Sequence, residues 1–172
     1  GIGAEMIAGD GGLRNGFGGK AGSLNTSQPV NIDNSAAVTV NVQGSGFTHG
    51  VRGLYVLSQG GNGIFSSDGS DSGGAGGVFG GISVVNDGPV TVTSNGGVKP
   101  TSLATLSGGI VVLGKGGDGG PGPQKADSDK MGGAGGTTAS SNSTSVTMNS
   151  NSVVSTSGDY LPGVSVLSQG GL

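Results

Sequence analysis

Few side chains in this sequence are equipped for chemistry. His49 is the single histidine, so a serine–histidine hydrolytic pair would have to use it. It stands between Thr48 and Gly50, where a surface turn residue is the expected role. There is no Cys, which excludes a thiolate nucleophile, a disulfide framework and thiolate metal sites. Gly109-Ile-Val-Val-Leu-Gly114-Lys115-Gly116 has the outline of a phosphate-binding loop, but Gly116 stands where Ser or Thr must hold Mg²⁺. The same frame recurs from Gly53 to Gln59 without a lysine, so it reads as a strand with a turn. Gly60-Gly-Asn-Gly63 and Gly116-Gly-Asp-Gly119 start like calcium-binding β-roll repeats. That motif needs an Asp two positions after its third Gly, and Phe65 and Pro121 stand there. Glycan-cleaving solenoids cluster Asp, Lys or Arg on one strand face. The ten acidic residues here fall mostly in loops, and no strand carries two Asp. No enzyme activity, cofactor or metal is expected.

The residues left for recognition lie in two segments of variable length, Phe65 to Ser72 and Pro121 to Lys130. The candidate interaction residues are Phe65, Asp68, Asp71, Gln124, Lys125, Asp127, Asp129 and Lys130. Seven basic residues, scattered and without interleaved aromatics, give no nucleic-acid footprint. The longest apolar runs, such as Ile110 to Leu113, are far below the ~20 residues of a membrane-spanning helix.

What must position these loops is a repeat. Of 172 residues 42 are Gly and 6 are Pro, a content that without periodicity would indicate a disordered chain. Periodicity is present. Gly53-Leu-Tyr-Val-Leu-Ser-Gln-Gly-Gly61 returns as Gly109-Ile-Val-Val-Leu-Gly-Lys-Gly-Gly117 and as Gly163-Val-Ser-Val-Leu-Ser-Gln-Gly-Gly171. A weaker copy runs from Gly3 to Gly11, giving spacings of 50, 56 and 54 residues. A second glycine cluster follows in each unit, at 18–22, 73–77 and 132–136. Two alternating apolar stretches come next, the first starting at Val30, Ile82 and Val146, the second at Val38, Val90 and Val154.

Each unit therefore reads as three short strands rich in β-branched residues, and nothing reads as a helix. Strands this short need neighbours. Stacked unit on unit, Leu54 falls on Ile110 and Val164, Val56 on Val112 and Val166, and Val38 on Val90 and Val154. The fold expected is all-β: a parallel β-solenoid (β-helix) of about three turns of 50–56 residues with Gly-rich loops on one flank. It forms one repeat domain over 1–172, with units 3–52, 53–108 and 109–162 and the start of a fourth at 163–172. The glycine clusters allow two readings, flexible loops or extended segments packed side by side. Thr39, Thr91, Thr93, Ser145, Thr147 and Ser155 are expected to point outward.

Ser-Thr-Ser-Gly158-Asp-Tyr-Leu-Pro-Gly163-Val-Ser-Val-Leu-Ser168-Gln169-Gly-Gly resembles the repeats of bacterial autotransporter passenger domains, in which a Gly, an apolar strand, a Ser step and a Gly-Gly tract recur. The second copy departs from it, with Gly114-Lys115 in place of Ser-Gln. The resemblance implies Gram-negative export, a β-helical stalk and display at the cell surface for adhesion. The function expected is accordingly structural and adhesive, a stiff extracellular stalk or filament segment. Its partner would be another copy stacked end to end, or more of a longer chain. A receptor- or glycan-binding tip using the two loops is the alternative, ahead of a glycan-cleaving enzyme or an ice-binding protein.

Overall fold

The computed structural model describes residues 1–14, 17–18, 20–24, 29–44, 50–64, 73–96, 99–121, 134 and 144–172. Among these, twelve strands follow in order. They are β1 (Ile2–Ile7), β2 (Leu13–Arg14), β3 (Phe17–Gly18), β4 (Val30–Asn34), β5 (Val38–Val42) and β6 (Arg52–Gln59). Then come β7 (Ile82–Asn86), β8 (Val90–Ser94), β9 (Gly108–Lys115), β10 (Thr144–Met148), β11 (Val154–Ser157) and β12 (Val164–Gln169). One turn of 3-10 helix, Leu103–Thr105, precedes β9.

Three parallel sheets hold all but β2 and β3, which form a small antiparallel pair. Their orders are β1-β6-β9-β12, β4-β7-β10 and β5-β8-β11, so each sheet collects one strand per unit. Leu54 lies opposite Ile110 and Val112 opposite Val166, while Val90 sits between Val38 and Val154. These are the stacks that the repeat predicts.

Period-2 alternation puts one apolar column of each strand between the sheets. Leu54, Val56, Ile82, Val84, Val90, Val92, Ile110 and Val112 are fully buried there. Burying each such side chain stabilises the fold by about 1.5–3 kcal/mol. The columns are open at the two ends, where Ile2 and Met6 of β1 and Val164 and Val166 of β12 are exposed.

Two registers differ from those the sequence suggests. Gly3 lies opposite Tyr55, not Gly53, because β1 pairs with β6 at an offset of 52 residues rather than 50. The same offset relates β4 to β7 and β5 to β8, so the three sheet strands of the first unit keep one phase. In the third unit Thr144, not Val146, opposes Ile82, and Val146 opposes Val84. Two extra residues are taken up in the corner before β11. An even slip leaves every side chain on its own face, which is why the sequence pattern does not reveal it.

The described glycine segments are packed, not loose. They stand in two rows, 8–12, 60–64 and 116–121 in one, 20–24 and 73–78 in the other. Hydrogen bonds zigzag between the rows while climbing the stack. The Gly22 N–H donates to the Gly9 carbonyl (2.9 Å), Gly61 to Gly22 (3.2 Å), Gly77 to Gly61 (2.9 Å) and Gly117 to Gly77 (2.9 Å). Within rows, Gly11 donates to Asn62 (2.8 Å), Gly63 to Asp118 (2.8 Å) and Ala21 to Ala75 (3.0 Å). A sheet strand bonds only in the plane of its sheet. These segments bond in two directions, as a bundle of extended glycine chains does. Backbones this close leave no room for side chains: a Cβ on Gly61 would overlap the Gly9 carbonyl oxygen, and one on Gly117 that of Gly61.

The departure at Gly114 has a packing cause. Phe79 is fully buried, and a Cβ on Gly114 would stand 2.6 Å from its Cζ. Its counterpart Ser58 has room for a hydroxyl, which donates to the Gly80 carbonyl (3.0 Å). Glycine at 114 is therefore the complement of phenylalanine at 79.

Candidate functional site

All eight candidate loop residues, Phe65, Asp68, Asp71, Gln124, Lys125, Asp127, Asp129 and Lys130, lie outside the described residues, as does His49. Sites among the described residues are built by other means. Lys115, from the phosphate-loop look-alike, ends β9 and pairs with Asp118 at 3.5 Å.

Asn62 and Asp118, from the two β-roll look-alikes, join Asp10 in a ladder on the glycine bundle. The Asn62 N–H donates to Asp10 Oδ1 (2.6 Å), the Asp118 N–H to Asn62 Oδ1 (3.0 Å) and the Leu172 N–H to Asp118 Oδ1 (3.2 Å). Each acidic or amide side chain thus caps the backbone one rung on. The 52-residue register makes this ladder possible, because an offset of 50 would put Asp10 opposite Gly60. Among the described residues no group of three or more His, Cys, Asp or Glu is placed to hold a metal ion.

The neutral amide at the centre of this ladder separates two carboxylates. Asn62→Asp would place three negative charges in line at about 5 Å spacing, and each new repulsion is worth about 1 kcal/mol in a water-like dielectric. A carboxyl crowded by like charge has a raised folded pKa. Its protonated form is favoured, so stability is intact at low pH and falls as pH rises. Asn62→Asp is expected to melt lower than wild type at pH 7 and to converge with it near pH 4. Equal melting at both values in low salt would show that the charges do not feel one another.

A groove of about 320 Å³ opens on the outer face of the β1-β6-β9-β12 sheet. Leu57 and Leu113, opposite one another on β6 and β9, lie in it, with Leu103 from the 3-10 turn and Tyr55 from β6. Glu5 and Gln59 line it from β1 and β6. Arg52 also lines the groove and is held firmly. Its Nε donates to the Leu106 carbonyl (2.8 Å) and an Nη2 proton to the Leu103 carbonyl (3.1 Å). Its guanidinium lies 3.9 Å from the centroid of the Tyr55 ring, a cation–π contact. Burial pushes the Tyr55 phenol up, Arg52 pulls it back and the Glu5 charge adds to the rise. At neutral pH the phenol keeps its proton.

Sequence reasoning about recognition loops did not reach this groove. Its wall comes from the connection at 95–107, the longest of the three between the second and third strand columns; the others span 43–51 and 158–163. That length difference is visible in the sequence, as is the placing of Arg52 three residues before Tyr55, one of two tyrosines. What the sequence does not display is that residues on β1, β6, β9 and a distant turn meet.

Outward positions elsewhere are polar, with Thr39, Thr93, Ser145, Thr147 and Ser155 exposed and Thr91 half-buried. No helix among the described residues is long and apolar enough to cross a membrane. No protein-family model, curated protein or solved structure matches this chain.

Proposed function

We propose that this chain is a segment of a parallel β-solenoid of about three turns, acting outside the cell as a structural and adhesive element. It would serve as a stiff stalk or filament on a bacterial surface. The observation that carries the reading is the double lattice: three parallel ladders backed by a glycine bundle bonded in two directions. A pull along the stack loads many backbone hydrogen bonds at once. The low charge and the resemblance to passenger-domain repeats agree with a mechanical task.

Electron microscopy of the purified chain at rising concentration, with sedimentation, tests this. Filaments with an axial repeat near three to four rungs, about 15–20 Å per copy, are the expected result. A monomer at every concentration would count against self-assembly and move the reading to a receptor- or glycan-binding tip. One observation favours that second reading: the groove at Tyr55 gives the outer sheet a concave feature that a plain stalk does not need.

A further inference from the structure

We infer that the groove at Tyr55 is a subsite for a neutral pyranose, the terminal one or two sugars of a surface glycan. The inference rests on the adhesive part of the reading above and deepens it. Ligand sites are concave and mostly apolar, with a few polar groups to orient the ligand, and occupy roughly 300–1,000 Å³. At about 320 Å³ this groove is at the small end.

Its lining selects among ligands. Half-buried Leu57 and Leu103 offer apolar surface over the buried Leu113, and the Tyr55 ring stands among them with one face taken by Arg52. The side chains of Glu5 and Gln59 make no hydrogen bond among the described residues, so a carboxylate and an amide stand beside that surface with their polar atoms unused. A pyranose matches both halves: an apolar C–H face for the leucines, and hydroxyls that donate to Glu5 and exchange hydrogen bonds with Gln59. Bonds to an ionised acceptor are the stronger kind.

Other ligand classes fit less well. A phosphate or sialic-acid carboxylate would meet the Glu5 charge, while Arg52 is committed to two backbone carbonyls. A purely apolar ligand would bury the Glu5 and Gln59 side chains without partners, which is costly. An ammonium group would find Glu5 but also the fixed Arg52 charge beside the Tyr55 ring.

The test is NMR on chain labelled at leucine methyls, titrated with methyl glycosides of common hexoses and N-acetylhexosamines. Inorganic phosphate and sialic acid are the anionic controls. Saturable shifts at Leu57, Leu103 and Leu113 are expected for at least one neutral glycoside, with Kd near 1 mM, as suits one shallow subsite. Glu5→Ala and Gln59→Ala should each weaken binding about tenfold with the melting temperature unchanged. Thr91→Ala, on a different sheet, should leave binding alone. No saturation by any glycoside up to about 10 mM in folded protein overturns the proposal. So does binding that survives both substitutions, or anions binding more tightly than sugars. Filament formation is read separately, so failure here leaves the structural reading standing, and failure there leaves this one.

Discussion

Alanine at Gly117 is expected to lower the unfolding midpoint sharply, while alanine at Gly9 leaves it unchanged. The two glycines, with Gly61 between them, occupy one position in three successive units of the bundle. A Cβ on Gly117 would overlap the carbonyl oxygen of Gly61 and stand 2.9 Å from that of Gly60. Backbone atoms cannot swing aside as a side chain can, so relief requires the rows to separate. Separation would strain the Gly117-to-Gly77 and Gly77-to-Gly61 hydrogen bonds, each worth about 1 kcal/mol. Together with overpacking, a loss of about 3 kcal/mol or more is expected. A Cβ on Gly9 has nothing within 4 Å of it. Alanine there should be neutral or stabilise by roughly 0.5 kcal/mol through the unfolded chain. Denaturant midpoints for the pair decide the matter. Similar midpoints would mean that the glycine rows are not packed as described.

Asn86→Ala is expected to cost about 2–4 kcal/mol, because one side chain ties together the corners of three units. Asn86 is fully buried between β7 and β8. Its Oδ1 accepts from Asn34 Nδ2 (2.7 Å), and its Nδ2 donates to the Gly88 carbonyl (2.7 Å) and to Ser152 Oγ (2.7 Å). Truncation strands buried partners, each at about 1–3 kcal/mol before relaxation. Asn86→Asp separates shape from hydrogen bonding. A carboxylate still accepts from Asn34 but sets an oxygen against the Gly88 carbonyl, so it should be at least as damaging as alanine at pH 7. Asn31→Ala, exposed on the outer face of the same sheet, should stay within about 0.5 kcal/mol of wild type. Thermal melts of the three variants suffice. If Asn86→Ala matched Asn31→Ala, the corner would not depend on the amide.

This corner shows how far the sequence can be read. Asn34 and Asp87-Gly88 are recognisable turn residues between apolar stretches, so the corners are legible. That Asn34 and Asn86 bond to each other is not, because the third unit puts Met148 opposite Asn86 and supplies Ser152 from further along. The two-residue slips at β1 and β10 were hidden for a related reason. Alternation has period 2, and a slip of two preserves it.

The sequence by itself determined the repeat, the three strands per unit, their parallel stacking and the inward columns of valine, isoleucine and leucine. Burial of apolar side chains at alternate positions is a local rule, and repetition turns it into a global one. Only the tertiary structure decided the phase of the first unit, the packing of the glycine rows, the ladder through Asp10, Asn62 and Asp118, and the groove at Tyr55. Glycine carries no side chain to advertise its neighbours, and its close approaches depend on residues about fifty positions away. The groove likewise joins side chains from separate units, and its outer surface follows no period that a single strand could record.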